Sequence, residues 1–277
     1  LAHLPLDSVA TIEAKDEKGS RPKQNIAANS FDSEKPARVQ GLQKDHPIAT
    51  AGKHGGALEF VGDGHIDLNS TVGYFERNEP FTLSIWLKTL ADSVEGPLVT
   101  KTGGLFDGNR GYTLELRKEG RLFFSLNHNA PDNAIAKTTK TAIPQRNWAN
   151  VVLTYDGSSR AKGLNVYLNG ALMATETEAD HLWRSTLSYG PKKLNWMGNV
   201  NVRLGRLGEQ TLDNAALDDF RIYGRRLTSL EIARLAEKEI NFDAMTAETL
   251  NNENQGREAL REYYLSRVDT MRQAMLD

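Results

Sequence analysis

The sequence contains no cysteine. Disulfides, thiolate metal sites and cysteine nucleophiles are therefore excluded, while the compartment stays open, since many bacterial envelope proteins also lack cysteine. No apolar run approaches the roughly 20 residues that cross a bilayer as a helix. Basic excess is missing too: 34 Lys and Arg against 36 Asp and Glu give a formal charge of −2, with no basic stripe of the kind that tracks a nucleic acid. The sequence has no Gly-x-Ser-x-Gly elbow, no P-loop and no His-Glu-x-x-His, so those enzyme classes drop out. It also shows no signal peptide. It opens on Leu1 and ends inside a helical pattern, which is expected of a piece of a longer protein whose targeting segment lies elsewhere.

What is present is a succession of short alternating segments. Leu1–Asp7 reads as an edge strand limited by Pro5. Lys15–Pro47 reads as a long loop with one short strand near Arg38–Gln43. Ala57–Val61 and His65–Leu68 flank a Gly-Asp-Gly turn. Phe81–Thr89 alternates most clearly, with Phe81, Leu83, Ile85 and Leu87 on one face and Thr82, Ser84, Trp86 and Lys88 on the other. Gly111–Arg117, Arg121–Asn127, Trp148–Tyr155, Gly163–Leu168, Val200–Gly205 and Leu217–Tyr223 continue the series, and Asn169-Gly170 is a type I′ hairpin signal. Many short strands with turns and no helices between them predict an all-β antiparallel sandwich of the jelly-roll kind.

The period then changes. Thr228-Ser-Leu-Glu231 is a capping box that opens a helix running to about Ile240. After the polar stretch Asn251–Gly256, Leu260, Tyr264, Val268, Met271 and Met275 form an apolar stripe. The sequence thus divides into a sandwich over 1–236 and a helical extension over 237–277. The Glu258–Met275 helix is expected to fold back and bury Leu260, Tyr264 and Val268, because an isolated helix of this length is marginal in water.

Five of these stretches resemble one family. Gly52-Lys-His-Gly-Gly-Ala-Leu-Glu-Phe60 with Gly62, Phe81-Thr-Leu-Ser-Ile-Trp-Leu-Lys88, Trp148-Ala-Asn-Val-Val-Leu-Thr-Tyr-Asp-Gly157, Val166-Tyr-Leu-Asn-Gly170 and Leu217-Asp-Asp-Phe-Arg-Ile-Tyr-Gly-Arg-Arg-Leu227 are similar, in order, to the strands of laminin-G-like, concanavalin A-like domains. Arg261-Glu-Tyr-Tyr-Leu-Ser-Arg-Val-Asp269 resembles the helix that follows such a domain in planctomycete-type proteins associated with cytochrome-c-like regions. These resemblances imply an exported protein, periplasmic or at the cell surface. They also imply a structural calcium ion where the first strand, the turn after the Gly-Gly-Ala-Leu strand and the last strand converge. Carried over, its ligands are the Gly62 carbonyl and the carboxylates of Asp7 and Asp219, in keeping with calcium's demand for hard oxygens. The competing reading has Asp218 and Asp219 end a bulge and pair with Arg221 or Arg225.

Glycosidases on this sandwich place paired carboxylates on one strand, and no Glu-x-Asp-x-Glu or Glu-x-Asp-x-x-Glu set occurs on any predicted strand. Glu115 stands alone on its face, suited to an ion pair with Arg117 or a neighbour. Asp63, His65 and Asp67 share a strand face, as metal ligands would, but a solvated face with Ile66 and Leu68 inward explains them better.

Among the aromatics, Trp148 suits the core. Trp86 is either a sugar-stacking platform or covered by the C-terminal helix or a long loop, the latter favoured because a bare exposed Trp on a sheet is costly. Trp183 and Trp196 lie in the long connection Asp180–Val200, and Phe106 in the glycine-rich loop Gly103–Gly111. Two functions follow. One is a non-catalytic, lectin-like module binding a polysaccharide or glycan, with Trp183, Trp196 and Phe106 stacking on sugar faces. Arg184, Asn195, Asn199, Glu115, Arg117, Asn127 and His128 would bond its hydroxyls. The other is a structural module that docks neighbouring domains of the parent protein.

Overall fold

The computed structural model describes residues 1–13, 23–41, 46–68, 71–102, 108–187, 200–238 and 257–266. Its strands begin with β1 (Ala2–Leu4), β2 (Ala10–Glu13), β3 (Lys23–Ala27), β4 (Ala37–Gln40), β5 (Ile48–Ala51), β6 (Gly56–Phe60) and β7 (His65–Asp67). The central set is β8 (Phe81–Thr89), β9 (Gly96–Thr102), β10 (Gly111–Leu116), β11 (Leu122–Asn129), β12 (Asn133–Thr139) and β13 (Ala149–Tyr155). Then follow β14 (Leu164–Leu168), β15 (Ala171–Leu172), β16 (Thr175–Asp180), β17 (Arg203–Leu204), β18 (Arg206–Leu207), β19 (Gln210–Thr211) and β20 (Ala215–Tyr223). Helix α1 (Ser229–Leu235) follows the last strand, and a second helix, α2, covers 257–266.

Two antiparallel sheets make the sandwich. The first runs β15-β14-β13-β8-β20-β6-β5, with β1 also paired to β20. The second runs β16-β12-β11-β10-β9-β17-β7-β4-β3-β2. Alternation along each strand explains the core. Phe81, Leu83, Ile85 and Leu87 of β8 point inward, as do Val151, Leu153 and Tyr155 of β13, and they meet Leu114, Phe124, Leu126 and Ile135 from the second sheet. The β14–β15 turn is made by Asn169 and Gly170, with φ of 48° and 78°; only a residue tolerant of the left-handed region fits either place.

The first sheet is buried on its outer side as well. Val152 packs with Leu227 and Ile232, and Tyr167, Tyr223 and Leu235 close around them, so α1 lies across the back of the sheet. The capping box is formed as expected, with Glu231 N–H donating to Thr228 Oγ1 and Thr228 N–H to Glu231 Oε2. Arg225 adds a two-pronged grip on the same Glu231 at 2.9 and 2.7 Å. Beside the helix, the turn at 52–55 covers Trp86, which is only 4% exposed.

Sequence and structure differ in several places. Strands β5, β9 and β12 stand where no strand is expected, and α1 ends at Leu235, short of Ile240. In the stretch between Lys15 and Pro47 the short strand expected near Arg38–Gln43 is β4, but β3 is an additional strand there and β2 precedes it. The strand β16, which reads Thr-Glu-Thr-Glu-Ala-Asp, has no apolar alternation to reveal it; it forms because it pairs with β12 at the sheet edge. In α2, Leu260 is half-buried but Tyr264 is 66% exposed, so the expected burial of Tyr264 is wrong: the helix turns Leu260 toward the protein and is held by Glu262, 3.6 Å from Arg226. Val268 lies outside the described residues. No described helix is long and apolar enough to cross a membrane.

If α1 seals the sheet, Ile232→Ala should cost about 2–4 kcal/mol through the cavity it leaves. Thr228→Ala should cost only about 1 kcal/mol through the lost cap. Denaturant titrations of both variants check this order; equal, near-zero losses would show that the helix contributes nothing to the sandwich.

Candidate functional site

With the back of the first sheet covered, the outer face of the second sheet is the broad surface left to examine. On β10, Tyr112, Leu114 and Leu116 point to the core, which sends Thr113 and Glu115 outward. On β11 the outward residues are Phe123, Ser125 and Asn127, and on β12 Ala134 and Ala136. Register sets Thr113 beside Ser125 and Ala136, and Glu115 beside Phe123 and Thr138. These rows floor a groove of about 340 Å³. Glu178 and Ala179 of β16 wall one side, and Leu207 of β18 lines it as well.

The floor is polar but internally bonded. Asn127 Nδ2 donates to Ser125 Oγ at 2.9 Å and to the Asn109 carbonyl at 3.3 Å, and Thr113 Oγ1 lies 3.1 Å from Ser125 Oγ. The Arg117 guanidinium stacks 3.7 Å from the Phe123 ring centre, covering the ring as a sugar would. Its Nη1 donates to Glu178 Oε1 at 2.8 Å and Thr138 Oγ1 at 3.3 Å, and Thr138 also bonds Glu178. Burial pushes the Glu115 carboxyl above its ordinary pKa; Thr113 and Arg117 oppose the shift and Glu178 adds to it. Next to this groove lies a second, of about 560 Å³, lined by Glu95, Lys118, Glu119, Arg121, Gln210 and Thr211, and it shares Glu115 and Arg117 with the first.

The structure therefore brings Glu115, Arg117 and Asn127 together. Glu115 is not alone: Glu178 reaches the same groove from β16, and that residue, like Thr113, Phe123 and Ser125, was not anticipated. Strand alternation on β10 and β11 contained the signal for the last three, whereas nothing marked β16 as a strand. His128 does not join them. Its Nδ1 lies 2.7 Å from the Ser185 carbonyl and its Nε2 3.4 Å from Arg110, so it braces the segment 181–187. That segment starts at the groove's end, where Asn133, the neighbour of Ala134, accepts from the backbone N–H groups of Trp183 and Arg184 at 3.0 and 3.3 Å. Trp183 is 60% exposed, which leaves its ring available to a ligand. Phe106, Asn195, Trp196 and Asn199 lie outside the described residues. Trp148 is half-buried and not part of the core.

Trp86 is not a platform. The His54 ring meets it edge-on at 5.6 Å and Lys53 Nζ sits 5.0 Å from its centre, both held by Glu237 at 3.3 and 2.7 Å. Asp218 anchors this cover: its Oδ2 accepts from the backbone N–H groups of Lys53 and His54 at 2.8 and 2.9 Å. Gly52 is required there, since a Cβ would lie 1.9 Å from the Gly56 carbonyl oxygen.

The residues expected to hold calcium do not assemble. Asp219 occupies the β20 bulge at φ +48°, with His3 Nε2 2.6 Å away and Arg221 bonding both its oxygens at 3.0 and 2.9 Å. Burial works against its charge, but the bonds from His3 and Arg221 outweigh that and hold its pKa below the ordinary value. Asp7 instead accepts from Gly56 N–H at 2.8 Å, and Gly62 donates to Asp213 at 3.2 Å. Gly56 opens β6 and Gly62 lies in the turn beyond its far end, with the strand itself about 13 Å long at the usual rise. The Asp63, His65, Asp67 trio is likewise taken up: His65 is buried against the Asp63 carbonyl, and Asp67 accepts from Arg203 Nε at 2.8 Å. Among the described residues no group of three or more acidic or histidine side chains is placed to hold a metal ion.

Comparisons with known proteins bear on the fold. The binding domain of Paraclostridial Mosquitocidal Protein 1 is similar with a TM-score of 0.55 and 15% identity, over 83% of this chain and 52% of that one. The receptor-binding domain of botulinum neurotoxin D gives 0.50 and 15% over the same shares. Domain 4 of AbnA, a GH43 extracellular arabinanase from Geobacillus stearothermophilus, in complex with arabinotriose, gives 0.49 and 17% over 76% of this chain and 92% of that one. The chain thus spans about half the length of the first two, and at these identities the likeness is one of fold. No curated protein sequence matches it significantly. A family model of the concanavalin A-like lectin/glucanases superfamily matches residues 60–233, so the chain belongs to that superfamily.

Proposed function

We propose that the chain is a non-catalytic carbohydrate-binding module that takes a glycan on the outer face of its second sheet. The observation that carries this reading is the convergence of Glu115, Arg117 and Asn127 on one open polar groove, while the corresponding face of the first sheet is sealed. Hydroxyl, amide and carboxylate groups beside the methyls of Ala134 and Ala136 match a sugar ring, which presents hydroxyls at its rim and C–H groups on its face. Trp183 offers a flat exposed ring at the groove's end. The module acts outside the cytoplasm, in company with other domains. A docking role has one observation of its own: Tyr264 and Leu265 of α2 are adjacent and 66% and 46% exposed.

Hydrolysis is not expected. Arg117 and Thr138 both engage Glu178, so it does not stand beside Glu115 as the free second carboxylate that a glycosidase needs.

A glycan array followed by calorimetry tests the binding. Asn127→Ala and Arg117→Ala should each weaken an array hit by about 1–2 kcal/mol, and Trp183→Ala by about 2 kcal/mol. An array without hits would transfer the function to docking. Polysaccharide turnover that vanishes in Glu115→Gln would refute the non-catalytic reading.

Glu115 also predicts a pH effect on stability. Its folded pKa lies above the ordinary value, so the folded state binds more protons than the unfolded one between the two values. Stability therefore falls as pH rises from the ordinary glutamate range through the folded pKa. Glu115→Gln should remove that fall, and its melting temperature should gain on the wild type as pH rises through this window. Parallel pH profiles for both proteins would contradict it.

A further inference from the structure

We infer that the two grooves are one binding track, and that its ligand is an extended, uncharged, β-linked oligosaccharide lying across both. This rests on the carbohydrate reading above and narrows it to the interior of a chain, as opposed to a terminal sugar.

Three features join the grooves. Glu115 and Arg117 line both, so no wall of other residues divides them. Both follow β10 and the turn after it: the smaller groove meets Thr113 and Glu115 and the larger meets Glu115, Leu116 and the turn at Lys118, with Thr113–Leu116 alone spanning about 10 Å at the usual strand rise. The same hairpin borders both, with Leu207 of β18 at the smaller and Gln210 and Thr211 of β19 at the larger. A straight track along a strand suits a chain that is itself extended.

Charge decides the rest. Glu95, Glu115, Glu119 and Glu178 face Arg117, Lys118 and Arg121 along the track, so a row of uronic acids would meet more carboxylates than cations. Arg117 is already engaged with Glu178. The Arg121 side chain is 37% exposed and lies only 3.7 Å from the Glu119 carboxylate, so the exposed part of its guanidinium supplies a donor for a sugar hydroxyl.

The test is calorimetry with β-1,4-linked gluco-, xylo- and manno-oligosaccharides of two to six units, with hexagalacturonate as the acidic comparator. Affinity for at least one neutral series should rise about tenfold or more between the shortest and longest members, the gain of one well-placed extra contact. Arg121→Ala and Gln210→Ala should shrink that gain, lowering hexasaccharide affinity more than disaccharide affinity, whereas Asn127→Ala should weaken every length. Unchanged melting temperatures exclude unfolding as the cause. Disaccharides bound as tightly as hexasaccharides would overturn the joined track and leave the module reading standing. Hexagalacturonate bound as tightly as the neutral chains would overturn the charge argument, and no binding by any series would overturn both.

Discussion

The strand Phe81–Thr89 is buried along almost its whole length and on both faces, and the organisation of the molecule follows from that constraint. Its inner face needs an opposing sheet. Its outer face carries Thr82, Ser84 and Trp86, groups too costly to bury unless something satisfies or covers them. Thr82 Oγ1 accepts from Leu227 N–H and donates to the Arg225 carbonyl, which fixes the chain leaving the last strand and thereby aims α1 across the sheet. Trp86 is covered by a turn that Asp218 holds by its backbone. The helix and the turn are then tied to each other through Glu237, Lys53 and His54.

Sealing one sheet leaves the other as the face on which the proposed binding rests. The outer face of the second sheet turns Thr113, Ser125 and Asn127 into the floor of a groove, where they are nearly buried, and its walls come from the sheet's own edge strand and from a hairpin inserted before β20. Such a surface is built on strands, with its rotamers braced by cross-strand hydrogen bonds, so the groups a ligand would meet are largely positioned in advance. Arg117 shows the economy of this arrangement. It screens Phe123 from water, neutralises Glu178 and opposes the neighbouring Glu115's tendency to take up a proton, three effects from one guanidinium.

The fold was legible from a few strong local signals: the alternation of β8, the Asn-Gly turn and the Thr228 capping box all appear where the sequence places them, whereas β9 and β12, buried as completely as β8, show no such pattern. The groove was legible only in part. Glu115, Arg117 and Asn127 fall on outward positions of strands that alternation identifies, but which strands lie side by side is a property of the register, and sequence gives no measure of it. Glu178 could not be foreseen, because an edge strand of threonines and glutamates has the composition of a loop. Tyr264 misled for the opposite reason: an apolar stripe shows that a helix has a sticky side, not which part of that side finds a partner.

The bulge in β20 shows how one backbone shape can be stabilised by different chemistry. The family resemblance implied an ion where the first and last strands meet, and a carboxylate, Asp219, does stand there at positive φ. Its charge is met instead by the imidazole of His3 on β1 and the guanidinium of Arg221 on its own strand. Together these clamp β1 to β20 across the bulge, alongside the backbone bond from Asp219 N–H to the Pro5 carbonyl at 3.2 Å. An arginine placed this close repels a cation and gives the carboxylate the two-pronged partner it would otherwise seek from a metal. Protein groups thus cross-link the first and last strands, and Asp7 accepts from the backbone of Gly56 at the start of β6.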